Sequence, residues 1–289
     1  MRVIGLQKIG KNTYVESDFL GCTVGFVVTS DGIVMIDTPF KPSEAVLWRG
    51  ELSKKGEVRY IVNTDHHPDH ATGNGFYSGV VVGHHGTREK FLTTENFLEE
   101  ARSIDPSAAM IMKGYQARKP TITFGDSLNI YVGEQMFQLI HTPGHTENTI
   151  AVFVPKERVL FTGDTVCTEG LPSLSQSDLI GWLQSLRALK KIDADIVVPG
   201  HREVGDMRSI TKFEEDLRNL IGKVRDAMER GVTREEIAKL VTYRDKIHEN
   251  ERYPQQYRDQ PHMKESVLRS VLWIYDVVAD ARDRGVRIL

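Results

Sequence analysis

Short runs of Val, Ile, Phe and Thr, each closed by turn residues, fill the first third of the chain. Residues 12–16, 23–29 and 33–37 predict meandering antiparallel strands, with Asp31-Gly32 turning the chain between the last two. Residues 43–55 predict a helix that opens at Ser43 with Glu44 in its first turn. RYIVNT, from Arg59, returns to a buried strand that runs straight into Asp65. A strand over 80–82 feeds a helix beginning near Thr87, and residues 91–118 read as a mostly helical, Met-containing insertion that ends at Pro120.

The β pattern then restarts, with strands predicted over 121–124, 128–132, 136–140, 149–154 and 158–162, a helix from about Ser177 to Lys190, and a strand over 195–199. Two sheets face to face with helices outside would bury both sets of strands, an α+β, four-layer αββα sandwich. Beyond it the pattern turns helical: Ile210–Arg230 closed by Gly231, a second helix from Thr233, and a third over Met263–Arg284, with a polar loop at 246–262. The division expected is a catalytic domain over residues 1–206 and a helical extension over 207–289 packed on it, or else used as a homodimer interface. Trp273 and Tyr275 on the last helix read as core packing rather than a ligand box.

Composition narrows the partners. A 289-residue chain with 40% apolar and 27% charged residues is an ordinary globular protein, and its net charge of −3 offers no basic stripe for a phosphate backbone. Nucleic acid is therefore not expected, and a small-molecule substrate is. No run approaches the roughly 20 apolar residues of a membrane span, and polar residues break the apolar ones near the N-terminus. Two cysteines, Cys22 and Cys167, make no disulfide framework, so the expectation is a cytoplasmic protein without a membrane partner.

Candidate chemistry gathers where predicted strands end. Seven candidate ligands, Asp65, His67, Asp69, His70, His145, Asp164 and His201, stand in four short clusters: TDHHPDH at 64–70, TPGHT at 142–146, TGDT at 162–165 and PGH at 199–201. Imidazole nitrogens and carboxylate oxygens converging on fixed loops are what a catalytic divalent metal needs, with a position left open for water. Isolated residues of these types would merely cap helices or close turns, but four ordered clusters do not fit that reading.

The dense cluster resembles the HxHxDH signature of the metallo-β-lactamase superfamily, and the three later clusters resemble that family's remaining ligands in their usual order, over residues 12–201. The resemblance implies a first metal held by Asp65, His67 and His145, a second by Asp69, His70 and His201, and Asp164 between them. It also implies a dinuclear hydrolase with two divalent ions, zinc above all, whose bridging hydroxide attacks a carbonyl or a phosphorus centre; the apolar, charge-poor residues expected around the substrate favour a lactone, ester, thioester or β-lactam over a polyphosphate. Asp69 is the residue expected to orient or accept the proton of that water.

One position departs from the signature, which reads DxHxDH because Asp65 stands where the family has its first His. Asp65, His67 and His145 make a two-His, one-carboxylate set, which admits iron or manganese at that site. Such a set opens an alternative, a mononuclear non-haem iron dioxygenase of the persulfide type, and a binding or sensing protein with a vestigial site is a third reading. The complete second set favours hydrolysis, since paired metals are a hydrolytic design.

Other polar residues have plainer expectations. His66 points away from the metals, His84 and His85 cap a helix or face solvent, and His141 either packs or supports the ligand loop. Cys167 is a small buried thiol. Some of Thr64, Thr142, Thr146 and Thr165 should hydrogen bond to liganding side chains. Leu171, Pro172, Leu174, Met110, Met112 and Tyr115 would form an apolar wall for substrate, with Arg88, Lys113 and Arg118 able to fold inward.

Overall fold

The computed structural model describes residues 4–168, 170–243, 254–261, 265–286 and 288. Strands β1 (Gln7–Lys8), β2 (Thr13–Glu16), β3 (Val24–Thr29) and β4 (Gly32–Ile36) form the expected antiparallel meander. After helix α1 (Pro42–Ser53), strand β5 (Val58–Val62) joins β4 in parallel. The short helix α2 (Pro68–Ala71) follows, then β6 (Val80–His84), α3 (His85–Glu89), α4 (Thr94–Ile104), α5 (Ala108–Ile111) and β7 (Ile122–Phe124). The result is a seven-stranded sheet in chain order.

Strands β8 (Ser127–Val132), β9 (Gln135–His141), β10 (Ile150–Val154) and β11 (Val159–Phe161) form a second antiparallel run. Helix α6 (Leu179–Leu189) carries the chain to β12 (Ile196–Val198), which lies parallel to β11 and completes a five-stranded sheet.

Alternation along the strands decides the layers, because successive side chains point to opposite faces. Val34 and Val62 meet Phe137, Leu139 and Val152 of the other sheet in the central core. Their neighbours Met35 and Ile61 point outward and pack with Phe26 under Trp48 and Leu52 of α1. On the far side Leu160 and Val197 lie beneath Trp182 and Leu186 of α6. Four layers follow, αββα.

The same outer core continues into the C-terminal helices. Helix α7 (Met207–Glu229) turns Phe213, Leu217 and Val224 into it, and Val271 and Ile274 of the last helix join them. The Asp206 carboxylate caps α7 by accepting the Arg208 N–H at 2.8 Å. Helix α8 (Arg234–Leu240) opens with a reciprocal capping box of Thr233 and Glu236. Helices α9 (Gln255–Arg258) and α10 (Ser266–Asp283) follow among the described residues. Leu174 N–H donates to Ser270 Oγ and Trp273 Nε1–H to the Ser177 carbonyl, both at 2.9 Å, which ties the extension to the loop before α6.

Differences from the sequence expectations are local. Helix α6 begins at Leu179, two residues late, because Asp178 accepts the Gly181 N–H at 2.9 Å and fixes the first turn there. The helical content of the insertion falls into α4 and α5. The polar segment at 246–262 lies largely outside the described residues, and α9 falls within it. Among the described residues no helix is long and apolar enough to cross a membrane.

Candidate metal centre

All four His and Asp clusters arrive at one edge of the sandwich. TDHHPDH follows β5 of the first sheet, while the other three follow β9, β11 and β12 of the second. Pro68 starts α2 with its fixed φ, and His67 precedes it in extended conformation, so Asp69 and His70 come from the first turn of that helix. Gly200 allows the fourth cluster to close on the third, since a Cβ there would overlap Asp164 Oδ1.

Two groups of three donors result. One ligand atom each from Asp65, His67 and His145 lies within 4.8 Å of the others, and the same holds for Asp69, His70 and His201. Asp164 stands between the groups. Its Oδ2 is 3.4 Å from His145 Nε2, and its Oδ1 is 3.2 Å from His201 Nε2 and 3.6 Å from His70 Nε2. Asp69 Oδ2 is 3.2 Å from His201 Nε2.

These residues fit metal ions on two counts. His70 Nε2 is buried and has no hydrogen-bond partner, although its other nitrogen is fully engaged. A lone pair so placed wants a Lewis acid. Three buried or nearly buried carboxylates also surround the imidazoles. Burial alone would lower His70, yet the Asp65 and Asp37 charges hold it well above its usual value, and against the same effect of burial Asp65 raises His67. Burial would raise the Asp65 carboxyl, but the charges of His67 and His70 keep it well below the ordinary range. The pocket holds negative charge in search of cations.

Asp65 divides its two oxygens. Oδ1 accepts the His67 N–H at 2.7 Å, the turn-closing role common for Asp after a strand, while Oδ2 lies 3.1 Å from His67 Nδ1 and 4.0 Å from His145 Nε2. One side chain therefore serves the loop and faces the first donor group.

Asp37 was not singled out by the sequence. It ends β4 with φ of 57°, and its Oδ2 accepts from His70 Nδ1 at 2.9 Å and from the Thr64 hydroxyl at 2.6 Å, while Oδ1 accepts the Thr64 N–H at 2.7 Å. It fixes the tautomer that leaves His70 Nε2 free to coordinate. Cys22 Sγ also lies within 4.8 Å of Asp37 and His70 donor atoms. Burial pushes that thiol up to about 12, so it backs His70 as a neutral group.

The supporting residues sit largely as the sequence suggests. Thr64 meets His70 at 3.1 Å, whereas Thr142 bonds Thr165 at 2.9 Å and Thr146 bonds Thr149 at 2.7 Å. His84 caps α3 by accepting the Gly86 N–H at 3.2 Å, and His141 Nε2 reaches the Glu147 carbonyl at 2.8 Å. Cys167 is buried with its thiol 3.7 Å from Asp164 Oδ1.

The expected apolar wall is a correction. Leu171 and Leu174 are buried in the core shared with the C-terminal helices, and Met112 and Tyr115 in a cluster with Phe97 and Ala71. Met110 is 78% exposed. Arg118 donates to the carbonyls of Tyr77 and Gly79, and Arg88 to that of Pro120, so both serve the backbone instead of turning inward.

Comparison with known proteins agrees with this geometry. The model of the metallo-beta-lactamase superfamily matches residues 17–201. The chain belongs to that superfamily. A probable hydroxyacylglutathione hydrolase of Schizosaccharomyces pombe is 29% identical over 189 residues, 63% of this chain and 64% of that protein's length. A type 2 metallo-beta-lactamase of Elizabethkingia meningoseptica is 24% identical over 222 residues, 72% of this chain and 82% of the relative. In structure, a metallo-beta-lactamase from Pontibacter korlensis superposes with a TM-score of 0.59, covering 75% of this chain and 100% of its own at 23% identity, a likeness of fold. The superfamily match ends at His201, at the last cluster, and the helical extension lies beyond it.

Proposed function

We propose that this member of the superfamily is a dinuclear metal-dependent hydrolase of a small carbonyl compound, a lactone, ester, thioester or lactam. The observation that carries the reading is Asp164, whose two oxygens face His145 of one donor group and His201 of the other at 3.4 and 3.2 Å. One carboxylate aimed at both groups suits two ions side by side. Asp65, His67 and His145 would hold the first, Asp69, His70 and His201 the second, with zinc the expected metal and iron or manganese the alternatives at the Asp65 site. The named relatives support a carbonyl substrate, since a hydroxyacyl compound and a β-lactam both contain one.

Bound divalent ions acidify water and polarise a carbonyl oxygen. The chain supplies the rest. Asp69, 18% exposed where Asp164 is 4% exposed and Asp65 not at all, is the most exposed of the three donor carboxylates. Its Oδ2 is the oxygen that approaches His201 and His70, and a carboxylate so placed can orient the attacking water and take its proton. Asp37 and Thr64 keep the His70 ring from turning. The buried walls around Val62, Phe161 and Val198 exclude bulk water from behind the ligands.

A second reading draws on the Asp65, His67 and His145 group, which by itself suits a mononuclear iron oxygenase. The equally complete second group gives it no purpose. A screen of neutral esters, lactones and thioesters, with oxygen consumption followed in parallel, tests the proposal. Metal-dependent hydrolysis without oxygen uptake supports it, and oxygen uptake on a persulfide without hydrolysis overturns it.

A further inference from the structure

The first donor group draws on two separate loops, Asp65 and His67 from the one after β5 and His145 from the one after β9. Its dimensions depend on how those loops are held together. Their feet are joined by the Ile150 N–H donating to the Thr64 carbonyl at 2.8 Å. Nearer the donors stands Asn148, fully buried, and its amide reaches His66 Nδ1, with contacts of 3.1 and 3.2 Å. The Thr87 hydroxyl donates to Asn148 Oδ1 at 3.0 Å, which leaves the amide N–H for His66. The Asn148 backbone N–H also donates to Thr146 Oγ1 at 3.3 Å, within its own loop.

Helix α3 is shaped around this residue. A Cβ at Gly86 would come 3.0 Å from Asn148 Cβ and 3.3 Å from His84 Nδ1, so the helix approaches the loop as closely as a glycine permits. Nothing in the donor chemistry uses Asn148, and no metal could use His66 through the nitrogen that faces it. A buried amide with each end bonded to a different segment sets the separation of those segments.

We propose that Asn148 is a positioning residue for the first metal site, a brace that holds the His145 loop against the Asp65–His67 loop through His66 and against α3 through Thr87. His66 is then half of the brace and no ligand. The inference rests on the proposed donor groups, and it predicts that loosening the brace acts on one ion and spares the other, since no donor of the second group bonds to Asn148 or His66 and His70 is tied through Asp37 and Thr64 instead.

The test uses the full chain reconstituted with cobalt, as wild type, Asn148→Ala, His66→Phe and the double variant. An excess of chelator is added, and ion loss is followed by the visible cobalt bands and by metal counts on desalted protein. Residues that support ligands are worth about 10–100-fold in metal affinity. We expect one ion to leave Asn148→Ala and His66→Phe about tenfold or more faster, the other at the wild-type rate, and the double variant to lose ions no faster than the faster single. Wild-type release from both single variants, equal acceleration of both ions, or additive effects in the double variant would overturn the brace. If Asn148→Ala fails to fold, His66→Phe and Thr87→Val carry the same comparison. A wild type that binds a single ion would contradict the dinuclear reading, and its faster loss from the variants would still support the brace.

Discussion

Asp37 Oδ2 lies 2.9 Å from His70 Nδ1, while Nε2 of the same ring faces Asp164 Oδ1 at 3.6 Å. The two carboxylates act on opposite nitrogens of one imidazole. Replacing Asp37 with Asn keeps a short side chain that tolerates φ of 57°, but removes the charge that holds the ring proton. The expected outcome is a loss of about tenfold or more in affinity for one ion, read by titration against a competing chelator. Unchanged affinity for both ions would remove Asp37 from the site's support.

Asp65 should matter in a different way. It brings a third carboxylate to the seven donors, and its Oδ1 also closes the turn through the His67 N–H at 2.7 Å. Asp65→Asn keeps an oxygen for the turn and loses the charge, so the fold should survive while the first ion binds about tenfold or more weakly. With less negative charge near the reacting water, the rising limb of rate against pH should move to lower pH in whatever fraction stays loaded. Metal counts and pH profiles of both proteins check this, and an unchanged limb with unchanged metal content would leave Asp65 with its turn alone.

The histidine at the start of α3 predicts an acid sensitivity that is independent of metal. Burial first, then the neighbouring His141 and His85, push His84 down to about 4 from an ordinary 6.5. Between those values the unfolded chain binds a proton that the folded one refuses, so stability contributed by neutral His84 is present above 6.5 and is lost as pH falls towards 4. Protonation would also cost the Gly86 N–H its acceptor. Calorimetry of the metal-free protein should show a melting temperature that falls with pH across this window. His84→Asn, which can still cap the helix, should flatten the slope. Parallel slopes for the two proteins would contradict the assignment.

Removing the extension should be ruinous. Phe213, Leu217 and Val224 share one core with Leu160, Trp182 and Val197, and cutting the chain at Asp206 would expose that face. Truncated protein is expected to aggregate, and Phe213→Ala in the full chain to lose about 3–5 kcal/mol in denaturant melts. A soluble, folded fragment would show the sandwich to be self-sufficient.

The residues of the two candidate donor groups were legible because their clusters follow strand ends, and most stand beside a glycine or proline, as His201 does beside Gly200. Two recurring sets of strands with helices likewise pointed to the layers, but in the unbroken apolar run of β4 only the fold shows Val34 inward and Met35 outward. What escaped depends on distant segments. Asp37 supports His70 from 33 residues away, and Asn148 reaches His66 across 82. The misplaced apolar wall has the same cause: Leu174 is covered by a helix whose Ser270 lies 96 residues further on. Local pattern shows that such a side chain wants burial, and only the fold shows what buries it.

Metal content decides the central claim most directly. Protein purified without added metal, then equilibrated with zinc and freed of excess, should carry two ions per chain by elemental analysis, falling towards one in His145→Ala with the fold intact by circular dichroism. A single iron per chain that no amount of added zinc raises to two, together with oxygen consumption, would contradict it.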